Sequence, residues 1–314
     1  MDAKPAKSPL DPQTDLATIC CEDKPANRKE YLSMVGSLMY AALGSRPDIA
    51  FSVTALSRYN VQPLEMHATA AKRVLRYLKS TSEFRIHYRR LPSYSQPVNT
   101  RTHNSRPHDT SINIIGYTDS DWAGNLTTRK SVGGCVFRLG HTNASEELVM
   151  SGLIHWQAKS QSIVALSTLE AEYITCSHAT RESLWLKRMM REAAEGMAVK
   201  ISDGPVPIGC DNQGAIKLIA SGVVRQKSKH IDVKYHHVHD EQMKGSVKFQ
   251  YVTLESNPAD LLTKPLAVPR HEQLLQLTGL TQSDSHTENS NTTDETDHGK
   301  RGCDSLAKKR GCLR

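Results

Sequence analysis

The chain has 314 residues, with 40 Lys and Arg against 33 Asp and Glu, a formal charge of +7 and a mean hydropathy of −0.49. No apolar run approaches the roughly 18 residues that a membrane helix needs, and the opening Met-Asp-Ala-Lys-Pro-Ala-Lys lacks the apolar core of a signal peptide. Seven cysteines, an odd number without a Cys-x-x-Cys pair, argue against a disulfide framework or a zinc site and for a reducing cytosol or nucleus.

In chain order, residues 1–27 are rich in Pro, Lys and Asp and read as an extended lead-in. The pattern from 28 to 91 is helical. Tyr31, Val35, Leu38, Met39 and Ala42 make one apolar stripe, and Ser45 before Arg46-Pro47-Asp48 starts a second helix. A third helix carries Leu64, Ala68, Ala71, Leu75 and Leu78 inward and Lys72, Arg73, Arg76 and Lys79 outward. Residues 92–110 lack periodicity and read as a linker. Strands are expected near 112–119, 132–139 and 153–157, then a long helix over 167–193, a strand at 205–210 and a short helix ended by Gly222. A His- and Lys-rich helix over 228–243, a strand at 247–252 and a helix from Asn257 complete the series. Such an order suggests one mixed sheet with helices packed on it. From 281 to 314 the composition is too polar to fold.

Four acids end four different predicted elements: Asp119, Glu172, Asp211 and Asp260. Carboxylates gathered from separate elements bind hard divalent cations, which can drive phosphodiester hydrolysis. Each acid also has an ordinary reading. Asp119 and its rival Asp121 form an Asp-x-Asp that occurs in simple turns, Asp211 is placed as a helix N-cap, and Asp260 lies in a first turn where the helix dipole suffices. Glu172 is more telling. It shares a stripe with Cys176, Ala179, Leu186 and Met190, whereas Glu170 lies about 200° around the axis. A buried glutamate needs a cation partner, either a metal or a Lys or Arg. Of the histidines, His230 is the candidate proton shuttle or phosphate contact, since His-x-x-His without further ligands is a weak zinc signal. The basic excess favours a polyanionic partner.

Gly-Tyr-Thr-Asp-Ser-Asp-Trp-Ala-Gly, Ser-Val-Gly-Gly-Cys-Val-Phe, Ile-His-Trp-Gln-Ala-Lys-Ser-Gln, Ala-Leu-Ser-Thr-Leu-Glu-Ala-Glu-Tyr, Cys-Asp-Asn-Gln, Lys-His-Ile-Asp-Val-Lys-Tyr-His and Pro-Ala-Asp-Leu-Leu-Thr-Lys-Pro-Leu follow one another in that order. The series resembles the ribonuclease H region of Ty1/copia-type retrotransposon Pol polyproteins. Upstream, Tyr-Leu-Ser-Met-Val-Gly-Ser-Leu-Met-Tyr and Arg-Pro-Asp-Ile-Ala-Phe-Ser-Val resemble the thumb-side end of the copia-type reverse transcriptase.

The resemblance covers about residues 8–280. It implies an α/β ribonuclease H-like fold at 111–280, a mixed five-stranded sheet flanked by helices, preceded by a thumb-like helical segment at 28–91. It places the family's metal-binding acids on Asp119, Glu172, Asp211 and Asp260, choosing the first Asp of Asp-Ser-Asp and the second Glu of Glu-Ala-Glu. The implied cofactor is two Mg²⁺ ions, with Mn²⁺ as an alternative. The implied partner is an RNA–DNA hybrid whose RNA strand is cleaved, with Lys159, Lys227, Lys229 and His230 as backbone contacts. Other parts of a Pol polyprotein are further candidate partners. A catalytically inactive nucleic-acid-binding remnant is the alternative. The chain carries no Tyr-x-Asp-Asp motif of a polymerase palm, and 92–110 and 141–151 read as enlarged loops.

Overall fold

The computed structural model describes residues 4–18, 23–88, 111–142, 148–197, 199–222 and 229–282, with the backbone alone for Thr142 and 229–235. The expected linker at 92–110 and the tail from 283 lie outside these residues, as does Lys227.

Helix α1 (Arg28–Gly44) starts where Asn27 Oδ1 accepts from the amides of Lys29 and Glu30, at 3.1 and 3.4 Å. It buries Tyr31, Val35, Leu38 and Ala42, four of the five stripe residues. A 3₁₀ turn at Pro47–Ile49 leads into α2 (Ala50–Ser57), and α3 (Glu65–Ser80) follows. The inward face of α3 differs from expectation. Ala68 and Ala71 are buried beside Val74 and Tyr77, while Leu75 is 40% exposed. The outward Arg73 is also engaged, donating to Ser8 O at 3.3 Å and holding down a lead-in whose Ala6, Leu10 and Leu16 are buried. Pro-rich, charged sequence hid those three anchors.

The sheet runs β4-β3-β2-β6-β7, with the two-residue β5 (Lys200–Ile201) added beside β2. Its members are β2 (Ser111–Ser120), β3 (Val132–Thr142), β4 (Leu148–Ser160), β6 (Val206–Cys210) and β7 (Val247–Tyr251). β2, β3 and β4 are antiparallel neighbours, whereas β6 runs parallel to both β2 and β7. Of the expected loop at 141–151, residues 141–142 and 148–151 are strand, His141 pairing with Val149, while 143–147 lie outside the described residues. Glycines and register shifts near Arg138 broke the alternating pattern that would have shown it.

One face packs on α4 (Thr168–Ala194), with α5 (Gln213–Ser221) and α6 (Lys229–Met243) joining it. Phe137, Tyr173, Cys176, Leu186 and Ile208 fill that core. The other face carries a 3₁₀ turn at Pro258–Leu262, where an α-helix was expected, and then α7 (Val268–Thr278). This face also receives the N-terminal helices. Tyr31, Leu38, Val53 and Leu56 share one apolar cluster with Val132, Val136, Leu153 and Leu262. The Trp156 indole donates to Ala42 O at 2.7 Å, and Thr54 Oγ1 to Ala158 O at 3.2 Å. A two-stranded ladder closes the arrangement, β1 (Phe84–Ile86) pairing with β8 (Leu280–Gln282). The N-terminal helices and the sheet fall within one compact unit, Met1–Gln282.

Candidate metal centre

Asp119 stands near the end of β2 and is 3% exposed. Opposite it in the ladder is Gly134, where a Cβ would sit 2.8 Å from Leu262 Cβ and 2.9 Å from Thr263 Cγ2. The bare glycine therefore lets the 3₁₀ turn approach the strand. Asn257 fixes the turn there, donating to Thr118 O at 3.0 Å and accepting from the Ala259 amide at 3.2 Å. Asp260, 1% exposed, is thereby brought beside Asp119, whose Oδ2 accepts from the Thr263 hydroxyl.

Two cations sit at this pair. Lys264 Nζ lies 2.7 Å from Asp260 Oδ1 and 3.7 Å from Asp119 Oδ2, and Arg270 Nη2 lies 3.0 Å from Asp260 Oδ2. Arg270 is itself anchored, with Nη1 donating to Glu255 O and to Gln273 Oε1, each at 2.9 Å. Each oxygen of Asp260 is thus held by a cation, Oδ1 by Lys264 and Oδ2 by Arg270.

Glu172 comes from the first turns of α4 and is 5% exposed. Its Oε1 accepts from the Ser120 amide at 3.1 Å, and among the described residues it makes no ion pair. Asp211 follows β6 directly and is partly buried. It is not the cap of α5, a role taken by Asn212, whose Oδ1 accepts from Ala215 N at 3.0 Å. Ligand atoms of Asp119, Asp211 and Asp260 lie within 4.8 Å of one another, as do those of Glu172, Cys210 and Asp211. Asp211 joins the two groups.

Burial and crowding push Asp119, Glu172 and Asp211 toward their neutral forms. Asp119 rises to about 7, chiefly by burial, with Lys264 pulling down and Asp260 pushing up. Glu172 is raised well above the ordinary range by burial, then by Asp119. Asp211 is raised by burial and by Asp260, against Lys264. Hard oxygens from three buried carboxylates and the partly buried Asp211 suit a divalent ion such as Mg²⁺ or Mn²⁺, and the cluster can hold one.

The rival acids have other work. Asp121 Oδ1 accepts from the Val132 amide and closes the β2–β3 turn. Glu170 is 8% exposed rather than outward: its Oε2 accepts from Leu166 N at 2.8 Å, while Ser167 Oγ accepts from Glu170 N at 3.2 Å. Ser167 thus caps α4, and the Glu170 carboxylate holds the amide one residue before the cap. Lys159 is exposed on β4 and lines a cleft against α4, on the opposite face of the sheet from Asp119. Lys229 and His230 open α6, but their side chains lie outside the described residues. Sequence reasoning missed Lys264, Arg270, Thr263 and Cys210. Lys264 follows Asp260 by four residues, a spacing that could have flagged it. For Arg270 no local signal exists.

The strand order and the mixture of antiparallel and parallel pairs define a ribonuclease H-like α/β fold. Similar solved structures include LC11-RNase H1 in complex with an RNA/DNA hybrid, 20% identical over 48% of this chain and 93% of that one, with a TM-score of 0.32. The N-terminal RNase H domain of rv2228c from Mycobacterium tuberculosis is another, at 13% identity, 53% and 98% coverage and a TM-score of 0.33. No family model matches the chain.

Among curated relatives, the retrovirus-related Pol polyprotein from transposon TNT 1-94 of Nicotiana tabacum is 34% identical over 284 residues, 89% of this chain and 19% of that protein. The corresponding polyprotein from transposon RE1 of Arabidopsis thaliana is 31% identical over 89% of this chain and 17% of its own length. Secreted RxLR effector protein 161 of Plasmopara viticola is 36% identical over 50% of this chain and 90% of its own length. Over about 89% of its length the chain is thus homologous, at 31–34% identity, to Ty1/copia-type retrotransposon Pol polyproteins. It spans less than a fifth of the length of the two polyproteins.

Proposed function

We propose that this chain is the nuclease portion of a copia-type Pol polyprotein and hydrolyses the RNA strand of RNA–DNA hybrids. The observation that carries the reading is the convergence of four carboxylates, from four separate elements, into two ligand groups that share Asp211. Asp119, Glu172, Asp211 and Asp260 would hold two Mg²⁺ ions, with Mn²⁺ as a substitute. Ions so held supply Lewis acidity to a phosphodiester and lower the pKa of bound water. The chain itself keeps the carboxylates dry, aims Asp260 through Arg270, and orients Asp119 through the Thr263 hydroxyl. His230 is assigned as a proton shuttle or phosphate contact, and Lys159, Lys227 and Lys229 as contacts to the hybrid backbone. Minor-groove 2′-hydroxyls would distinguish the RNA strand. Other segments of a Pol polyprotein are the expected partners.

The test is a labelled RNA–DNA hybrid incubated with the protein and Mg²⁺. RNA cleavage that EDTA stops is expected. Intact RNA at high protein, with a control ribonuclease H digesting the same substrate, overturns the enzymatic reading. A gel shift that EDTA does not abolish, without cleavage, would assign the chain to non-catalytic binding instead.

A further inference from the structure

Two of the buried cysteines stand behind the acids and take no part in the proposed hydrolysis. Cys176 lies one turn along α4 from Glu172, on the same face, and Cys210 ends β6 immediately before Asp211. Both are fully buried, and their sulfurs are 4.0 Å apart. Cys210 Sγ lies 3.9 Å from Glu172 Oε2, and ligand atoms of Glu172, Cys210 and Asp211 fall within 4.8 Å of one another. The cysteines are 34 residues apart in the chain, so their spacing gave no sign of a shared site.

These separations match those around a thiophilic metal. A tetrahedral Zn²⁺ sets two bound sulfurs about 3.8 Å apart, and a sulfur and an oxygen about 3.5 Å apart. The Asn212 amide donates to Cys210 Sγ at 3.4 Å, a contact that favours negative charge on the sulfur. Without a metal the thiols form a relay, Cys176 donating to Cys210 and Cys210 to Glu172. One divalent ion takes the place of those two protons, which leave to solvent, and the net charge of the site is conserved. The ion also supplies the cation that the buried Glu172 carboxylate lacks among the described residues. Selectivity follows from the ligand atoms. Asp119, Asp211 and Asp260 offer oxygen alone, which suits Mg²⁺, whereas the group around Cys210 adds sulfur, which Mg²⁺ leaves and Zn²⁺ takes.

We propose that Cys176, Cys210, Glu172 and Asp211 form a second metal site, for a thiophilic divalent ion such as Zn²⁺, that overlaps the acidic cluster. Zinc held there occupies Glu172 and Asp211, so Zn²⁺ and Mg²⁺ compete and the centre responds to free zinc. That competition, unlike the site itself, rests on the Mg²⁺ reading of the acids.

The experiment uses the full chain, reduced with a phosphine and stripped of metal, and titrates it with Co²⁺ as a spectroscopic stand-in and then with Zn²⁺. The wild type should develop a thiolate-to-cobalt charge-transfer band and the visible bands of a tetrahedral ion, and equimolar Zn²⁺ should remove both. Cys135→Ala, which removes another buried cysteine, should keep the bands. Cys176→Ala and Cys176→Ser should lose them, and Zn²⁺ binding measured by chelator competition should weaken about 100-fold or more, beyond the cost of losing an outer-shell partner. Far-UV CD checks folding, and either folded variant suffices. No thiolate band in the wild type, or a band that the folded Cys176 variants retain, overturns the site. Calorimetric titration of Mg²⁺ into zinc-free and zinc-loaded wild type reads the competition, and equal affinities overturn the overlap. A zinc-free wild type that binds no Mg²⁺ removes the nuclease reading and leaves the sulfur site standing.

Discussion

Glu172 and Glu170 sit two residues apart, and the structure separates their work. Glu172 faces Asp119 and Asp211 without an ion pair among the described residues, so its charge is a burden until a cation shares it. Glu172→Gln should abolish Mg²⁺-dependent cleavage, yet hold or raise the melting temperature in EDTA, because a repelling buried charge is gone. Glu170→Ala should cost about 1 kcal/mol through loss of its hydrogen bond from the Leu166 amide and leave cleavage nearly unchanged, as read by urea melts and the hybrid assay. Arg270 holds Asp260 from behind. Arg270→Ala should weaken Mg²⁺ binding roughly 10–100-fold by calorimetry, and Arg270→Lys should recover only part, since an ammonium cannot reproduce the fork. The histidines set the acid limit. His155 and His178 are held below 6.5 by burial, with Glu182 working upward. The folded form therefore binds fewer protons than the unfolded one. Their contribution to stability is full above about pH 6.5 and is lost as the pH falls toward the depressed folded values. Glu182→Gln should lower both values further, visible in imidazole NMR titrations, and steepen that loss.

At the scale of elements, legibility followed how local each feature was. The apolar stripe of α4 marked Glu172 because one helix carries both, and Gly222 ended α5 in the left-handed conformation that its position suggested. Motif order marked the four acids, and the geometry brings them together. What stayed hidden depends on the path of the chain in space. The Glu170 carboxylate turns back to Leu166, and Arg270 reaches Asp260 only because α7 folds over the 3₁₀ turn. Burial of the lead-in and of Tyr77 likewise reflects partners far along the chain. The N-terminal helices and the sheet share a core, so distant substitutions should report one transition. Leu38→Ala in α1 and Leu153→Ala in β4, at 1% and 0% exposure, should each cost about 2–5 kcal/mol. Far-UV CD and loss of hybrid cleavage should then coincide in urea; separate midpoints would show two folding units.

For the molecule as a whole, a chain cut to residues 111–282 would leave Val136 and Leu153 uncovered on the face where α1–α3 now pack. Such a truncation should aggregate or bind a hydrophobic dye, whereas residues 4–282 should give a sharp melt. No helix among the described residues is long and apolar enough to cross a membrane. The β1–β8 ladder carries a consequence for the making of the protein. Phe84–Ile86 leaves the ribosome roughly 190 residues before its partner Leu280–Gln282, a wait of about 10–40 s at ordinary elongation rates. The first helices therefore emerge with their apolar sides lacking the sheet that covers them, and the acids assemble only at the end, when Asp260 and Arg270 arrive together with the closing strand. A translational pause or premature stop in that interval would yield a chain with exposed surface and no metal site, a natural client for a chaperone.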